Sequence, residues 1–548
     1  MIKFHIFGVI LTLFFITSCS KSSKGVEVLP KDSKMVLVIN PLDLLDKAHV
    51  EDLPESDIFD KLAGKVTQDN KKSEKFFDAI KEEPLALGVD FYKDIFLFEP
   101  DKEGHFVGLS VDLFNASRFE TFIKEKLSKL SSDFEFTEKE NYSYVSIDSG
   151  FVVGWDDDKA LFLIAKNKKE EAYTKTKLSD LFEQDKSDCL VQTQFFSDFY
   201  KHKKDLNLWL SLSQVDTEQF NLVQDVFSID QDKGFMTLSM SFNKGKIVLD
   251  SRLSGLQKTN EQVKNADYGK LIKFLPKSYY MIGRVKLDTN RPGIFSKVID
   301  GFIQENKEES GLDMMKGLEG TLVYSLFGHK NYEYTYKKSV YNEFDFSYDY
   351  QDVKASKEMP FFSMVFGVKN QAVLSKAIQD SFANNWVAHA GYFETKYQNN
   401  YVVYWVLTSD YWYVTNDKSS VIQVAESQKL HEGLELSFDN KLAYQSDFYT
   451  FIKLNTASYP DVLQHSFNAS VSTDTQKLVE MWNEFASDLE CVEVGDKHFR
   501  FVFRTMQDKE NSLFSLLKLI HENAEDLQPI TTQLETAQAE WLEKRTPN

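Results

Sequence analysis

A chain of 548 residues exceeds one ordinary hydrophobic core, and at roughly 100 to 200 residues per domain it divides into several. Its composition, 42% apolar and 14% aromatic with 46 Phe and 24 Tyr, is that of a folded, strand-rich protein and excludes intrinsic disorder. A formal charge of −20 excludes nucleic acid as a partner, because such a field repels phosphate.

Lys3 followed by the apolar run from Ile6 to Ile16 reads as a secretory signal peptide over residues 1–18, too short for a bilayer span, which needs about 20 residues. Ile16-Thr17-Ser18-Cys19 has the form of a bacterial lipobox. That makes Cys19 the lipidated, palmitate-bearing first residue of the mature chain, with the membrane as partner through that lipid; an ordinary signal peptide with a chance cysteine is the alternative. Residues 19–27 then hold the lipidated Cys and a flexible Ser/Lys tether. Cys189 and Cys491 lie one in each half without a CxxC or a neighbouring His, so buried free thiols are expected, with a disulfide left open.

Met35 to Ile39 reads as a strand, followed by a short helix face through Leu42, Leu44, Leu45 and Ala48. A second helix is expected over Ser73 to Ile80. Ile95 to Phe98 and Phe106 to Leu113 are strands separated by a polar turn, and Phe119, Phe122, Ile123, Leu127 and Leu130 mark an amphipathic helix opened by a Ser117/Glu120 capping box. Tyr142 to Ile147, Phe151 to Trp155 and Leu161 to Ala165 form a strand meander. Leu206 to Ser213 and a hairpin turning at Asn243-Lys244-Gly245 close the first half.

The opening stretch Leu29-Pro30-Lys31 returns as Leu275-Pro276-Lys277, and Phe106–Leu113 falls on Phe361–Val368 with Asn115 meeting Asn370. Several matches in one order at offsets near 250 predict an internal duplication. The fold class is therefore α+β: two units, residues 28–258 and 259–508, each a mostly antiparallel β-sheet with helices on one face, plus a C-terminal helical tail over 509–548. Ile530 to Trp541 is expected as a helix of that tail.

The lipobox, the polar tether, the Leu-Pro-Lys-Asp opening strand and units such as Leu109-Ser110-Val111 with Phe119-Glu120-Thr121-Phe122 together resemble the Bacteroidota lipoproteins grouped as domain of unknown function 4836. The resemblance implies an outer-membrane lipoprotein of the cell envelope and carries no activity or catalytic residue. Surface-displayed lipoproteins of that phylum often have acidic residues after the lipidated Cys. Ser20-Lys21-Ser22-Ser23-Lys24 departs from that pattern, which favours an anchor facing the periplasm over display at the cell surface.

No HExxH, Walker A, GxGxxG or GxSxG motif is present, so no metal, cofactor or catalytic residue is assigned. Asp156-Asp157-Asp158 lacks the Gly and distal Glu of a calcium loop and reads as a solvated turn. The one anomaly is Tyr332-Glu333-Tyr334-Thr335-Tyr336 followed by Phe344-Asp345-Phe346-Ser347-Tyr348-Asp349-Tyr350, where aromatics alternate with polar residues as in two strands with one aromatic face each. These rings either cover the sheet or form an exposed platform for an envelope protein or glycan. The expected function is a non-enzymatic binding or scaffold lipoprotein whose contact surface is Tyr332, Tyr334, Tyr336, Phe344, Phe346, Tyr348 and Tyr350. The alternative is a hydrolase of envelope or imported polymers with a dispersed carboxylate site.

Overall fold

The computed structural model describes residues 23–49, 87–100, 105–127, 135–147, 151–165, 171–214, 234–254, 268–286, 310–342, 347–381, 386–396, 401–434, 446–468, 473–495 and 497–523. The expected helices at Ser73 to Ile80 and Ile530 to Trp541 lie outside them. Contacts divide the chain into two units, Met1–Phe220 with Gln231–Ser241, and Asn221–Asp230 with Phe242–Asn548.

The first unit carries β1 (Met35–Ile39), β2 (Ile95–Glu99), β3 (Phe106–Asp112), β4 (Glu135–Glu138), β5 (Ser143–Ile147), β6 (Phe151–Trp155), β7 (Lys159–Ala165), β8 (Leu206–Ser211) and β9 (Phe235–Asn243). All pair antiparallel, in the order β9-β8-β1-β2-β3-β7-β6-β5-β4. Its helices are α1 (Pro41–Ala48), α2 (Ala116–Phe122), α3 (Glu171–Glu183) and α4 (Gln194–Lys201).

The second unit takes β10 (Lys246–Ser254), β11 (Met281–Lys286), β12 (Leu318–Asn342), β13 (Ser347–Val368), β14 (Trp386–Ala388), β15 (Phe393–Lys396), β16 (Val402–Leu407), β17 (Tyr411–Thr415), β18 (Phe448–Lys453), β19 (Ala486–Gly495) and β20 (His498–Thr505). Their order is β10-β20-β19-β18-β11-β12-β13-β17-β16-β15-β14, again antiparallel throughout. From β19 to β14 this repeats the first unit's order with every strand number raised by ten. The helices here are α5 (Ser310–Gly317), α6 (Gln371–Ser381), α7 (Lys418–Ser427), α8 (Asp461–Asn468), α9 (Thr473–Phe485) and α10 (Ser512–Glu522).

Local bonds repeat as well. Leu29 O accepts from Leu190 N and Lys31 N donates to Asp188 O, as Leu275 O accepts from Leu434 N and Lys277 N donates to Glu432 O. Asn115 caps α2 by accepting from Arg118 N at 2.9 Å, and Asn370 accepts from Val373 N at 3.2 Å ahead of α6. The cap of α2 is thus Asn115 rather than the Ser117 of the expected capping box.

Three expectations change. The helices of each unit cover both faces of its sheet, not one. In the first unit Phe119 and Phe122 of α2 pack with Val153, Trp155, Ala160 and Phe162, whereas Leu178 and Leu181 of α3 and Phe196 of α4 pack with Val152, Leu161 and Leu163. In the second, α6 and α7 divide the faces in the same way, Leu374 and Ile378 joining Phe366 and Trp412 while Val421 and Val424 join Val365 and Tyr413. The physical reason lies in consecutive buried residues: Ala160 to Leu163 and Tyr411 to Thr415 are buried without a break, so both faces need cover.

The boundary between units also falls inside β9 rather than at 258/259, because β10 pairs with β20 from Lys246↔Arg504 to Arg252↔His498. In the expected tail, α10 packs on β10, with Ser512 Oγ donating to Lys246 O at 3.0 Å.

The third change concerns the tether. Gly25–Val28 is a buried 3₁₀ turn, and Ser23 is 3% exposed. Asp112, at the end of β3, accepts from Ser23 Oγ at 2.6 Å, Lys24 N at 2.9 Å and Gly25 N at 2.7 Å. Glu27 O accepts from Gln184 Nε2 at 3.0 Å and Cys189 Sγ at 2.8 Å. From Ser23 onward this stretch is part of the fold, since buried carboxylate bonds to backbone N–H groups are among the stronger hydrogen bonds in a protein.

Candidate functional site

The aromatic alternation becomes a two-stranded ribbon. β12 pairs with β11 from Thr321 to Leu326 and β13 pairs with β17 from Ser363 to Gly367. Beyond these stretches, from His329↔Pro360 to Asn342↔Ser347, the two strands pair with each other and, among the described residues, with no other strand. At about 3.3 Å per residue this ribbon runs on the order of 45 Å.

Its base is gripped on both faces. On one, Asn416 Oδ1 accepts from Phe362 N at 2.8 Å and its Nδ2 donates to Pro360 O at 3.0 Å, while Lys330 Nζ donates to Asn416 O at 3.1 Å. Burial pulls the Lys330 ammonium pKa down, against the attraction of Asp417. On the other, α8 packs along β13, with Asp461 N donating to Glu358 Oε2 at 3.3 Å.

Along one face runs a ladder of rings. Half-buried Tyr401 meets Tyr332 edge-on at 5.7 Å, Tyr332 lies within 12° of parallel to Tyr334 at 6.2 Å, and Tyr334 meets Tyr336 at 6.1 Å. The Lys357 ammonium sits 5.4 Å from the Tyr334 centroid, a cation–π contact from the neighbouring strand. Exposure rises outward, and Tyr336 is 44% exposed. Burial raises the pKa of the Tyr332 and Tyr401 phenols, so both stay neutral donors at physiological pH.

Tyr348 and Tyr350, 63% and 69% exposed, stand on the opposite face. Residues directly across an antiparallel ladder share a face, and the register is Tyr336↔Val353 and Ser339↔Tyr350. The two aromatic runs of the sequence are therefore not one platform. The cause is a bulge at Gly328: Phe327 pairs with Phe361 but His329 with Pro360, leaving Gly328 unpaired at φ 40°. That single extra residue shifts the ladder by one and turns Tyr348 and Tyr350 away from Tyr332, Tyr334 and Tyr336. Phe344 and Phe346 lie outside the described residues.

Stacked rings with hydroxyl edges can pack against apolar or planar groups and exchange hydrogen bonds. Among the described residues no three His, Cys, Asp or Glu side chains gather closely enough to hold a metal ion, and no helix is long and apolar enough to cross a membrane. The Asp156 carboxylate is consumed within its own turn, accepting from Asp158 N, Lys159 N and Lys159 Nζ. Other charges close on each other, as Asp94 does with Tyr200 and Lys203, Asp250 with His498 and Arg500, and Arg504 with Asp488 and Glu490. Cys189 and Cys491 are free and buried, and burial pushes both thiols up, Cys491 to about 12.

Residues 26–499 match a family described as a domain of unknown function, DUF4836. The chain belongs to that family. No curated protein matches it. Three solved structures of TP0453 are distantly similar to it. Crystal form IV is 10% identical with a TM-score of 0.25, covering 42% of this chain and 81% of TP0453. Form III is 8% identical at 0.26, covering 44% and 83%, and form I is 8% identical at 0.25, covering 43% and 82%. The family description assigns no activity, so the ribbon has to be read from its own geometry. Tyr401, Lys357 and Asn416 extend the site beyond the residues legible as an alternating pattern.

Proposed function

We propose that this member of the family is a lipid-anchored, non-enzymatic binding protein of the cell envelope that holds a partner protein through its ribbon, with Tyr332, Tyr334 and Tyr336 as the leading contact. The observation that carries the reading is a long two-stranded ribbon with a tyrosine ladder and both edges free of further strands among the described residues. Isolated ribbons are marginal in water, and open strand edges are templates for strand addition. Tyr is enriched at protein contacts because it joins a large apolar ring to a hydrogen-bonding tip. Lipidation at Cys19, an outer-membrane address on the periplasmic side, and descent of the two units from one duplicated ancestor belong to this proposal. The repeated strand order and the matched bonds of the two Leu-Pro-Lys segments support the last.

The test is crosslinked capture from native membranes with the full-length chain. Tyr332, Tyr334 and Tyr336 all changed to Ser should leave the circular dichroism and urea midpoint nearly unchanged and lower capture at least tenfold. Tyr348 and Tyr350 changed to Ser ask the same of the opposite face and should have the smaller effect. Undiminished capture by the ladder variant refutes the assignment, and recovery of a glycan in place of a protein refutes the choice of partner.

A further inference from the structure

The docked N-terminal segment crosses β3 in a definite direction. Gly25 O accepts from Ser110 Oγ at 3.0 Å, whereas Ser23, Lys24 and Gly25 donate to Asp112. Traced back from Gly25 to Ser23, the chain moves from Ser110 to Asp112. β3 ends there, and Phe114 follows in the bend that leads to α2, at the same end of the strand.

This end of the first unit carries the residues that a lipid interface would take up. Phe114 is 49% exposed and Tyr92 is 82% exposed. Their loops are tied to the end of β3, with Phe114 N donating to Gly88 O at 3.0 Å, Asp90 N to Asp112 O at 2.8 Å, and Tyr92 N to Asp90 Oδ1 at 3.0 Å. The guanidinium of exposed Arg118 lies 5.9 Å from the Phe114 centroid. The amphipathic Tyr92 ring favours the headgroup level of a bilayer, the exposed Phe114 ring adds apolar surface for the acyl boundary, and a guanidinium beside it matches phosphate. Cys19 precedes Ser23 by four residues, a span of at most about 14 Å when fully extended.

We infer that the loop edge bearing Tyr92, Phe114 and Arg118 lies in the headgroup interface of the bilayer that holds the Cys19 lipid, with Asp112 as the clamp that keeps it there. This rests on the reading of Cys19 as lipidated. With Ser23 to Gly25 held on Asp112, four positions separate the Cys19 lipid from the fold, so the lipid brings this edge to the membrane. Charge does not drive the contact: the acidic turn Asp156-Asp157-Asp158 adjoins it, Asp158 O accepting from Leu113 N at 2.8 Å. Zwitterionic lipid is therefore the matching surface, and anionic lipid weakens the contact.

The experiment uses the full-length acylated protein in phosphatidylcholine vesicles with a nitroxide attached at Phe114→Cys or, as control, at Phe195→Cys. Phe195 is 61% exposed and touches Phe235, which stands with Ser211, Met35 and Glu99 at the opposite end of the strands from Asp112. In the acylated chain Cys19 has no free thiol and Cys189 and Cys491 are buried, which directs labelling to the introduced cysteine. Expected is a label at 114 that collides with dissolved oxygen and is shielded from a water-soluble nickel chelate, and a label at 195 that behaves in the reverse way. Asp112→Ala should return the label at 114 to water. Equal nickel access at both positions overturns the inference, and persistence of the lipid contact in Asp112→Ala overturns the clamp. Mass analysis of the N-terminal peptide separates the underlying reading: an acylated Cys19 with an aqueous position 114 defeats this inference alone, and an unacylated Cys19 defeats both.

Discussion

Replacing Asp112 by Ala removes one acceptor group from three donors at once, Ser23 Oγ, Lys24 N and Gly25 N. A buried donor left without a partner costs about 1–3 kcal/mol, but the freed segment can lift off and hydrate its own groups. The loss is thus capped by the local docking free energy, on the order of 3 kcal/mol for bonds to a charged acceptor. Val26, Val28 and Leu29 remain buried, and Glu27 O keeps its bonds to Gln184 and Cys189, so opening stays confined to residues before Val26. Trypsin reads this opening directly, since it cuts after Lys24 only when that backbone leaves Asp112. With opening faster than cleavage, about 3 kcal/mol becomes roughly a 150-fold faster cut in Asp112→Ala. Ser110→Ala removes one neutral bond to Gly25 O, about 1 kcal/mol, and should accelerate the cut about fivefold. Asp112→Asn, which keeps one acceptor oxygen, should fall between them. A wild-type chain cut after Lys24 as fast as Asp112→Ala would refute the clamp.

Two further outcomes concern stability. Tyr413 is fully buried with its hydroxyl 2.9 Å from Ser363 Oγ, and burial raises its phenol to about 12 from the ordinary 10. The unfolded chain ionises first, so the stability of the neutral phenol is fully present below pH 10 and is lost between pH 10 and 12, up to about 2–3 kcal/mol. Guanidinium unfolding across that range should show the fall, and Tyr413→Phe should make it shallower by that amount, the rest coming from other buried groups such as Cys491; an unchanged slope would contradict the burial argument. In the sheets, a Cβ at Gly108 would stand 2.3 Å from the Phe98 ring, and one at Gly283 2.4 Å from the Tyr324 ring, each across an antiparallel pair. Gly108→Ala and Gly283→Ala should each lose about 1–3 kcal/mol in urea unfolding, whereas Gly495→Ala, with nothing within 4 Å, should be near neutral.

The strands were legible because their apolar runs are short, dense and bounded by turn residues: Met35 to Ile39, Ile95 to Phe98 and Phe151 to Trp155 each sit where the pattern puts them. The faces were not. Ala160 to Leu163 reads as a strand without showing that both its sides are covered, since a continuous apolar run has lost the alternation that names a solvent side. Helix α4 was hidden for a related reason. Phe195, Phe196, Phe199 and Tyr200 are residues that favour strands, and the helix forms because Phe196 packs beside Trp209 and Tyr200 bonds Asp94. The docking of Ser23 to Gly25 was invisible for the plainest reason, an acceptor at Asp112 that lies 87 to 89 positions away.

The ribbon shows where local pattern stops carrying information. Alternation in Tyr332 to Tyr336 and in Phe344 to Tyr350 identifies two strands, each with one aromatic side, and the structure has strands at Tyr332 to Tyr336 and, from Ser347 onward, at Tyr348 and Tyr350. Whether the two aromatic sides coincide depends on one integer, the register, which neither run contains. Within the sheet Val323 pairs with Val365 and Phe327 with Phe361; continued outward, that register would set Tyr350 across from Lys338, on the ladder side. The unpaired Gly328 changes the integer by one and sets Tyr350 across from Ser339 instead. A glycine that reads as a weak break in an apolar strand thus decides which tyrosines can meet a common partner. This is why the ladder variant and the Tyr348/Tyr350 variant have to be measured apart: they probe two surfaces.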